Sequence, residues 1–527
     1  MLMTRLARRL IAPTLATSCV LVLSACGGGG SGSNGALVTA INGANATPAR
    51  GTALTPVPDR VVRLSVDQFK TLLEADSTGK RVEQASGVPK CGIDVRYLQY
   101  QTVGAQGESV PASGAIMLPA GTDPACNGPR PIVLYGHGTA TERNYDISNI
   151  TNTNQPAAAE GVIVAAMFAA QGYIVVAPNY AGYDKSSLPY HPFLNADQQG
   201  KEMIDALTAA RSTLSSLSAL DAGTLLVTGY SEGGYAALAA HRAMQAANMT
   251  VTASAPMSAP TAISLLIDYT ASGLPEFGST VFFPLITTSW QKQFGNIYAN
   301  TRDIYEDAYA TGIDTLLPSY LSRNDLFTTG KLPQYAFFPA NATPGPLNAN
   351  VAIEYGAGNL VRQSYLTTWF GDVQASPCPG NALPATAASL ATTSPLDCSP
   401  STGLRSAAVA NDLRNWLPRR PVMMCGGAND PTVNFTSSLA TAGYFRARGM
   451  TPTTLTVVDL EASGTSDAYS AARAGFAQAK AQKRAQSTGT DAQLDQSVAF
   501  AYHGELVPAY CMQSVRVFFE GVLNSGG

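Results

Sequence analysis

Charge is scarce in this chain: 13% of its 527 residues are Asp, Glu, Lys or Arg, and 33 basic against 36 acidic residues leave a net charge of -3. A nucleic-acid binder would show a basic patch or a high isoelectric point, so no nucleic acid is expected as a partner. Long charge blocks are missing as well, and with 45% of residues hydrophobic the chain is no disordered polyelectrolyte. Histidine is rarer still, at four residues, and no Cys-x-x-Cys pair occurs; neither a metal site nor any cofactor is expected. Gly356-Ala-Gly358 stands without a strand–turn–helix unit around it, so it is no dinucleotide fingerprint. Past the N-terminus there is no run of 18 apolar residues to span a bilayer, and no repeat of 20–50 residues.

What is present begins with an export signal. Arg5, Arg8 and Arg9 precede a mostly apolar stretch from Leu10 to Leu23, too short for a membrane span. Leu23-Ser24-Ala25-Cys26 resembles the lipobox of bacterial lipoproteins, which implies lipidation of Cys26 and a signal peptide over 1–26. Residues 27–60, Gly/Ser-rich and then Pro/Thr/Ala-rich, read as a flexible tether. The expectation is a protein exported to the bacterial cell envelope, on the outer membrane or cell surface, or secreted; the lipid anchor is its one membrane contact. Six cysteines remain once Cys19 and Cys26 are set aside, an even number that suits disulfides in an oxidising compartment. Proximity pairs Cys91 with Cys126 and Cys378 with Cys398, and elimination pairs Cys425 with Cys511.

Alternating segments over 93–103 and 109–118 read as an antiparallel hairpin. Short continuous apolar runs at 131–135, 173–177, 224–228 and 251–255 read as strands buried on both faces, with helices at 157–171, 195–217 and 233–247. Strands return at 421–425 and 455–459, and 507–523 reads as a last helix. The fold class is therefore α/β, a mostly parallel sheet with helices on both faces. Its core spans 61–259 and 416–527, interrupted by a Pro- and aromatic-rich cap inserted over 260–415.

The chemistry centres on Gly229-Tyr-Ser231-Glu-Gly233, a G-x-S-x-G match between an apolar strand and an Ala-rich helix. A serine on such a strained turn needs neighbours without side chains, and Gly229 and Gly233 supply them. The serine also needs a base oriented by a carboxylate. The bases available are His137, His191, His241 and His503. Asp430, in Gly427-Ala-Asn-Asp-Pro-Thr-Val433, follows a strand and suits the acid; Asp459 is the runner-up. The Glu232 amide and the loop Gly136-His137-Gly138-Thr139 are placed to form an oxyanion hole, donated by His137, Gly138 or Thr139. The His137 side chain reads as an organiser of that loop. Glu232 itself either tunes the catalytic histidine, bonds to the cap, or simply stands in water at a helix start.

Tyr135-Gly-His-Gly-Thr139, Gly229-Tyr-Ser-Glu-Gly-Gly234, the Asp430 segment and Tyr502-His-Gly504 together resemble the α/β-hydrolase superfamily over roughly residues 90–525. Pro178-Asn-Tyr-Ala-Gly-Tyr183 and the large cap are similar to the secretory lipase group (Candida antarctica lipase A-like). The serine–acid–histidine order of that superfamily selects His503, so the resemblance implies Ser231, Asp430 and His503 as a triad. Glu232 departs from the small residue or Gln expected beside the nucleophile. The expected function is hydrolysis of carboxylic esters, an esterase or lipase acting through an acyl-enzyme on small-molecule or lipid esters with apolar or aromatic groups. A prolyl-type aminopeptidase and a ligand-binding lipoprotein on an inactive scaffold are the alternatives.

Overall fold

The structure is a computed structural model describing residues 47–464 and 466–525. The signal segment, Cys26 and the tether up to residue 46 lie outside the described residues. From Pro48 onward the chain forms one compact unit.

Nine strands make one sheet: β1 (Asp59–Leu64), β2 (Gly92–Val103), β3 (Ser109–Ala120), β4 (Pro129–Gly136), β5 (Ile174–Pro178), β6 (Leu220–Tyr230), β7 (Ala253–Met257), β8 (Val422–Gly426) and β9 (Leu455–Asp459). Their spatial order is β1-β2-β3-β5-β4-β6-β7-β8-β9. The first three strands and β5 pair antiparallel, and β5 through β9 run parallel. Ile132, Val133 and Leu134 on β4, like Val175 and Val176 on β5, are fully buried, as continuous Val/Ile/Leu runs covered on both faces must be. The helices Ala196–Thr213 and Glu232–Ala246 pack together on one face; Ser77–Ser86, Ala158–Met167 and Val507–Asn524 pack together on the other. Because β4 lies between β5 and β6, the connections leaving β4 and β5 part in opposite directions. The crevice at the carboxyl ends of such strands is where open α/β sheets bind ligands.

The expected tether ends earlier than residue 60. Gly51 and Leu54 donate backbone hydrogen bonds to Gln101 and Gln99 on β2, and Arg50 pairs with Asp205 at 3.0 Å. A strand edge leaves a row of unmet backbone groups. Residues 50–64 satisfy that of β2, so they are ordered rather than free.

Between Met257 and Val422 the chain leaves the sheet and builds the helices Ile263–Ala271, Ser279–Phe294, Gln363–Ala375 and Gly403–Asn411. Phe283, Trp290, Phe337, Phe338 and Trp369 pack inside this segment, with Phe283 stacked on Trp369 at 5.5 Å. These rings share one apolar cluster with Tyr235 and Leu238 behind β6 and with Val422 and Met424 on β8. The segment is therefore fused to the sheet's core. Arg405 is 1% exposed and held bidentate by Asp268 at 2.7 and 3.1 Å, which ties the Gly403–Asn411 helix to Ile263–Ala271.

Two helices not anticipated from sequence, Ser470–Gln486 and Asp491–Ala501, stand between β9 and His503. Polar and Ala-rich, they carry only a narrow apolar stripe, Ala472, Phe476 and Ala479 on the first and Ala501 on the second, so little in the pattern announces them. The three expected disulfides, Cys91–Cys126, Cys378–Cys398 and Cys425–Cys511, are all present.

The last of these joins β8 to the final helix across 86 residues of chain. On the chain-entropy account, closing a loop of that length stabilises by about 4.5 kcal/mol. The double replacement Cys425→Ala/Cys511→Ala should lower the unfolding free energy by about 2–5 kcal/mol in urea titrations; an unchanged midpoint would show that the bridge adds nothing.

Candidate active site

At the end of β6 the chain reverses within one residue. Ser231 adopts φ 57° and ψ -122°, a conformation costing about 1–3 kcal/mol for a residue with a Cβ. The turn is held by its own backbone: the Ser231 amide donates to the Met257 carbonyl at 2.9 Å, and those of Gly234 and Tyr235 return to the Ser231 carbonyl. Glycine is required because backbones pass in contact. A Cβ on Gly233 would stand 1.9 Å from the Gly136 oxygen, and one on Gly229 would stand 2.2 Å from the Gly233 oxygen. The elbow is thereby pressed against the end of β4.

His503 reaches this serine from a π-turn, Tyr502–Leu506, between the last two helices. Its Nε2 lies 2.9 Å from Ser231 Oγ, and its Nδ1 lies 2.7 Å from Asp430 Oδ2. Asp430, in the loop after β8, accepts the Thr432 and Val433 amides on its other oxygen at 2.9 and 3.1 Å. Tyr230, next to Ser231, donates its hydroxyl to the His503 carbonyl at 2.5 Å and so ties the π-turn to β6. The Phe277 amide donates to the Pro431 carbonyl, joining the inserted segment to the acid's loop. Three residues that span 272 positions of sequence meet at one end of the sheet.

The remaining sequence candidates fall elsewhere. Asp459 accepts the Ala428 and Glu461 amides and makes no bond to His503. His241 is buried against Ser254 Oγ at 2.8 Å, and burial pushes its pKa down to about 4. His137 is fully buried between Tyr145 and Tyr180, its ring 4.1 and 4.2 Å from theirs, and burial lowers its pKa too. Its nitrogens face the Gly138 and Asn179 carbonyls, which holds the loop after β4.

Glu232 is neither solvated nor bonded to the cap. Its side chain is fully buried, accepting His191 Nε2 at 2.5 Å and Gln199 Nε2 at 2.6 Å. His191 Nδ1 faces the Ala181 carbonyl at 3.0 Å. Burial opposes charge on this imidazole, yet the neighbouring Glu232 carboxylate prevails and raises its pKa. Sequence placed both residues on separate segments, and nothing in their spacing announces a pair.

The loop Gly136–Thr139 lies beside Ser231. Its Gly138 amide donates to Glu160 Oε1 at 2.9 Å, so Gly138 is not free to hold an oxyanion. Glu160 also accepts the Tyr135 and Tyr145 hydroxyls at 2.8 and 2.9 Å. It was not anticipated, being one acid in the first turn of an ordinary helix. Among the described residues the Thr139 and Glu232 amides make no hydrogen bond, the latter being one of the unmet donors of a helix start.

Ser231, His503, Gly138 and Thr139 open into a cavity of about 560 Å³, walled by Ile163, Phe277, Phe282, Phe327, Tyr335, Phe500 and Met512. A larger hollow of about 870 Å³ nearby is lined by Glu461, Lys480, Arg484 and Asp495 and holds none of the three. Deeper in the inserted segment Glu354 is 1% exposed, and burial raises its carboxyl to about 8.

The profile of the prolyl oligopeptidase family matches residues 163–277. Among solved structures, the rice cell wall degrading esterase LipA from Xanthomonas oryzae superposes with a TM-score of 0.65 at 24% identity, covering 91% of this chain and all of that one. A candidate hydrolase from Legionella pneumophila gives 0.62 at 16% identity, covering 90% and 99%. Candida antarctica lipase A in its closed state gives 0.45 at 15% identity over 78% and 77%, too distant to carry an argument. No curated protein sequence matches the chain. At these identities the likeness shows the fold, that of the α/β-hydrolases.

Two outcomes test this geometry. Gly233→Ala forces a Cβ into the Gly136 carbonyl and should cost about 3 kcal/mol in urea unfolding; a loss below about 1 kcal/mol would mean the elbow is not so tightly pressed. Glu354 binds a proton in the folded state that the unfolded chain, with its ordinary value of 4.5, releases. Stability therefore falls as pH rises from about 4.5 to about 8. Glu354→Gln should flatten that decline in melts taken between pH 5 and 8, whereas an unaltered slope would show that Glu354 contributes nothing to it.

Proposed function

We propose that this protein is a serine carboxylic-ester hydrolase that works through an acyl-enzyme. The observation that carries the reading is the continuous relay Ser231 Oγ, His503 and Asp430, with contacts of 2.9 and 2.7 Å, at a strained turn open to a cavity. His503 takes the Ser231 proton as the hydroxyl attacks the ester carbonyl, then gives it to the departing alcohol. Asp430 fixes the imidazole with its Nδ1–H inward and stabilises the charge that forms. The tetrahedral oxygen sits against the Glu232 and Thr139 amides, which have no other partner, at a helix start that favours negative charge. Water activated by His503 then releases the acid.

The apolar and aromatic wall fits an ester with an apolar or aromatic group. Three disulfides and the N-terminal signal favour export, with Cys26 as the lipid-bearing residue. The similar LipA is named as a cell wall degrading esterase, which agrees with an extracellular ester substrate. A second reading, cleavage at proline, is favoured by the family match over 163–277. A peptide's ammonium would need a free acid in the cavity, however, and Glu160 already accepts three donors.

Ser231→Ala should abolish fluorophosphonate labelling and lower kcat on p-nitrophenyl esters by at least about 10,000-fold. Proline p-nitroanilides measured in parallel should stay uncleaved. Folded wild-type protein that takes no label would instead point to a ligand-binding scaffold without catalysis.

A further inference from the structure

One charged side chain in the active-site cavity is left without a partner. Among the described residues lining it, Glu160 and Arg323 carry the side chains charged at neutral pH besides the triad. Glu160 is occupied on both oxygens by Tyr135, Tyr145 and Gly138. Among the described residues the Arg323 guanidinium forms neither a hydrogen bond nor an ion pair. Only its backbone amide is engaged, donating to Glu142 Oε1 at 2.9 Å.

Two acids face Arg323, and neither bonds its guanidinium. Glu142 lends attraction from a distance, but its oxygens accept the Arg323 amide and the Thr141 hydroxyl. Glu354, the other acid facing it, is held protonated at neutral pH by burial. Arg323 Nη2 comes within 3.1 Å of the position a Cβ would take on Gly278, another cavity residue, with Phe282 alongside. Arg323 is exposed, so water reaches it, yet its guanidinium lies against the aromatic wall of the cavity with five donors open to an anion. Its planar fork matches a carboxylate bidentately.

Building on the esterase reading, we infer that Arg323 is a specificity residue: the preferred substrates are esters carrying a carboxylate, which Arg323 binds while Ser231 attacks the ester carbonyl. The inserted segment, which supplies Arg323, thus selects the substrate's charge, and the sheet supplies the chemistry.

Two matched pairs test this: p-nitrophenyl butyrate against mono-p-nitrophenyl succinate for a carboxylate on the acyl side, and phenyl acetate against 4-acetoxybenzoate for one on the alcohol side. In at least one pair wild-type kcat/KM should favour the anionic member, by a ratio that shrinks as salt is added. Arg323→Gln should lower that ratio by about tenfold or more, the worth of a charged hydrogen-bonded contact, and Arg323→Glu should lower it further. Arg323 stands at the exposed start of a short helix with no side-chain bond to lose, and thermal melts verify that both variants fold. Ratios that move less than about twofold in both variants, with the neutral esters still turned over, overturn the inference and leave the hydrolase reading standing. Fluorophosphonate labelling without turnover of any of the four esters likewise overturns the inference alone. Absence of both labelling and turnover in folded wild type sinks the esterase reading, and the inference with it.

Discussion

The site rests on a steric constraint, the contact between the turn after β6 and the end of β4. Gly229, Gly233 and Gly136 allow three stretches of backbone to pass with no room for a Cβ, and the strain at Ser231 persists because those contacts fix it. The same turn sets the serine hydroxyl toward His503 and turns the Glu232 amide outward. It also lays the Gly136–Thr139 loop beside Ser231. One side chain at Gly233 would disturb all three.

Behind the elbow lies an unusually polar interior. Glu232, His191 and Gln199 form a buried group, while Glu160 gathers two tyrosines and the Gly138 amide on the cavity side. A buried carboxylate is tolerated only with partners. Here the partners are the segments that must hold still: the loop after β5 through His191, and the loop after β4 through Glu160. Placing an acid directly after Ser231 gives the side chain of Glu232 an anchoring role while its peptide N–H meets no partner among the described residues.

His503 is held by longer connections. It follows two helices, Ser470–Gln486 and Asp491–Ala501, and its position is fixed by Tyr230, by Asp430 and by the disulfide that joins the next helix to β8. The inserted segment bonds to the acid's loop at Phe277 and shares its apolar core with the sheet. It therefore frames the cavity as part of the scaffold, with Arg323 on its inner wall.

Read alone, the sequence determined whatever depends on local pattern. Continuous apolar runs marked the buried strands, the glycines around Ser231 marked a turn that only small residues permit, and six cysteines paired by nearness and remainder. Asp430 stood in a short motif just past an expected strand, whereas His503 was singled out by the serine–acid–histidine order that the resemblance implies. Folding alone decided which groups became partners across the chain: Glu232 with His191, Glu160 with Gly138, and residues 50–64 with the edge of β2. It also decided the solitude of Arg323. A partner, or the lack of one, depends on distance in space and on exclusion of water, and neither leaves a period or a spacing in the order of residues.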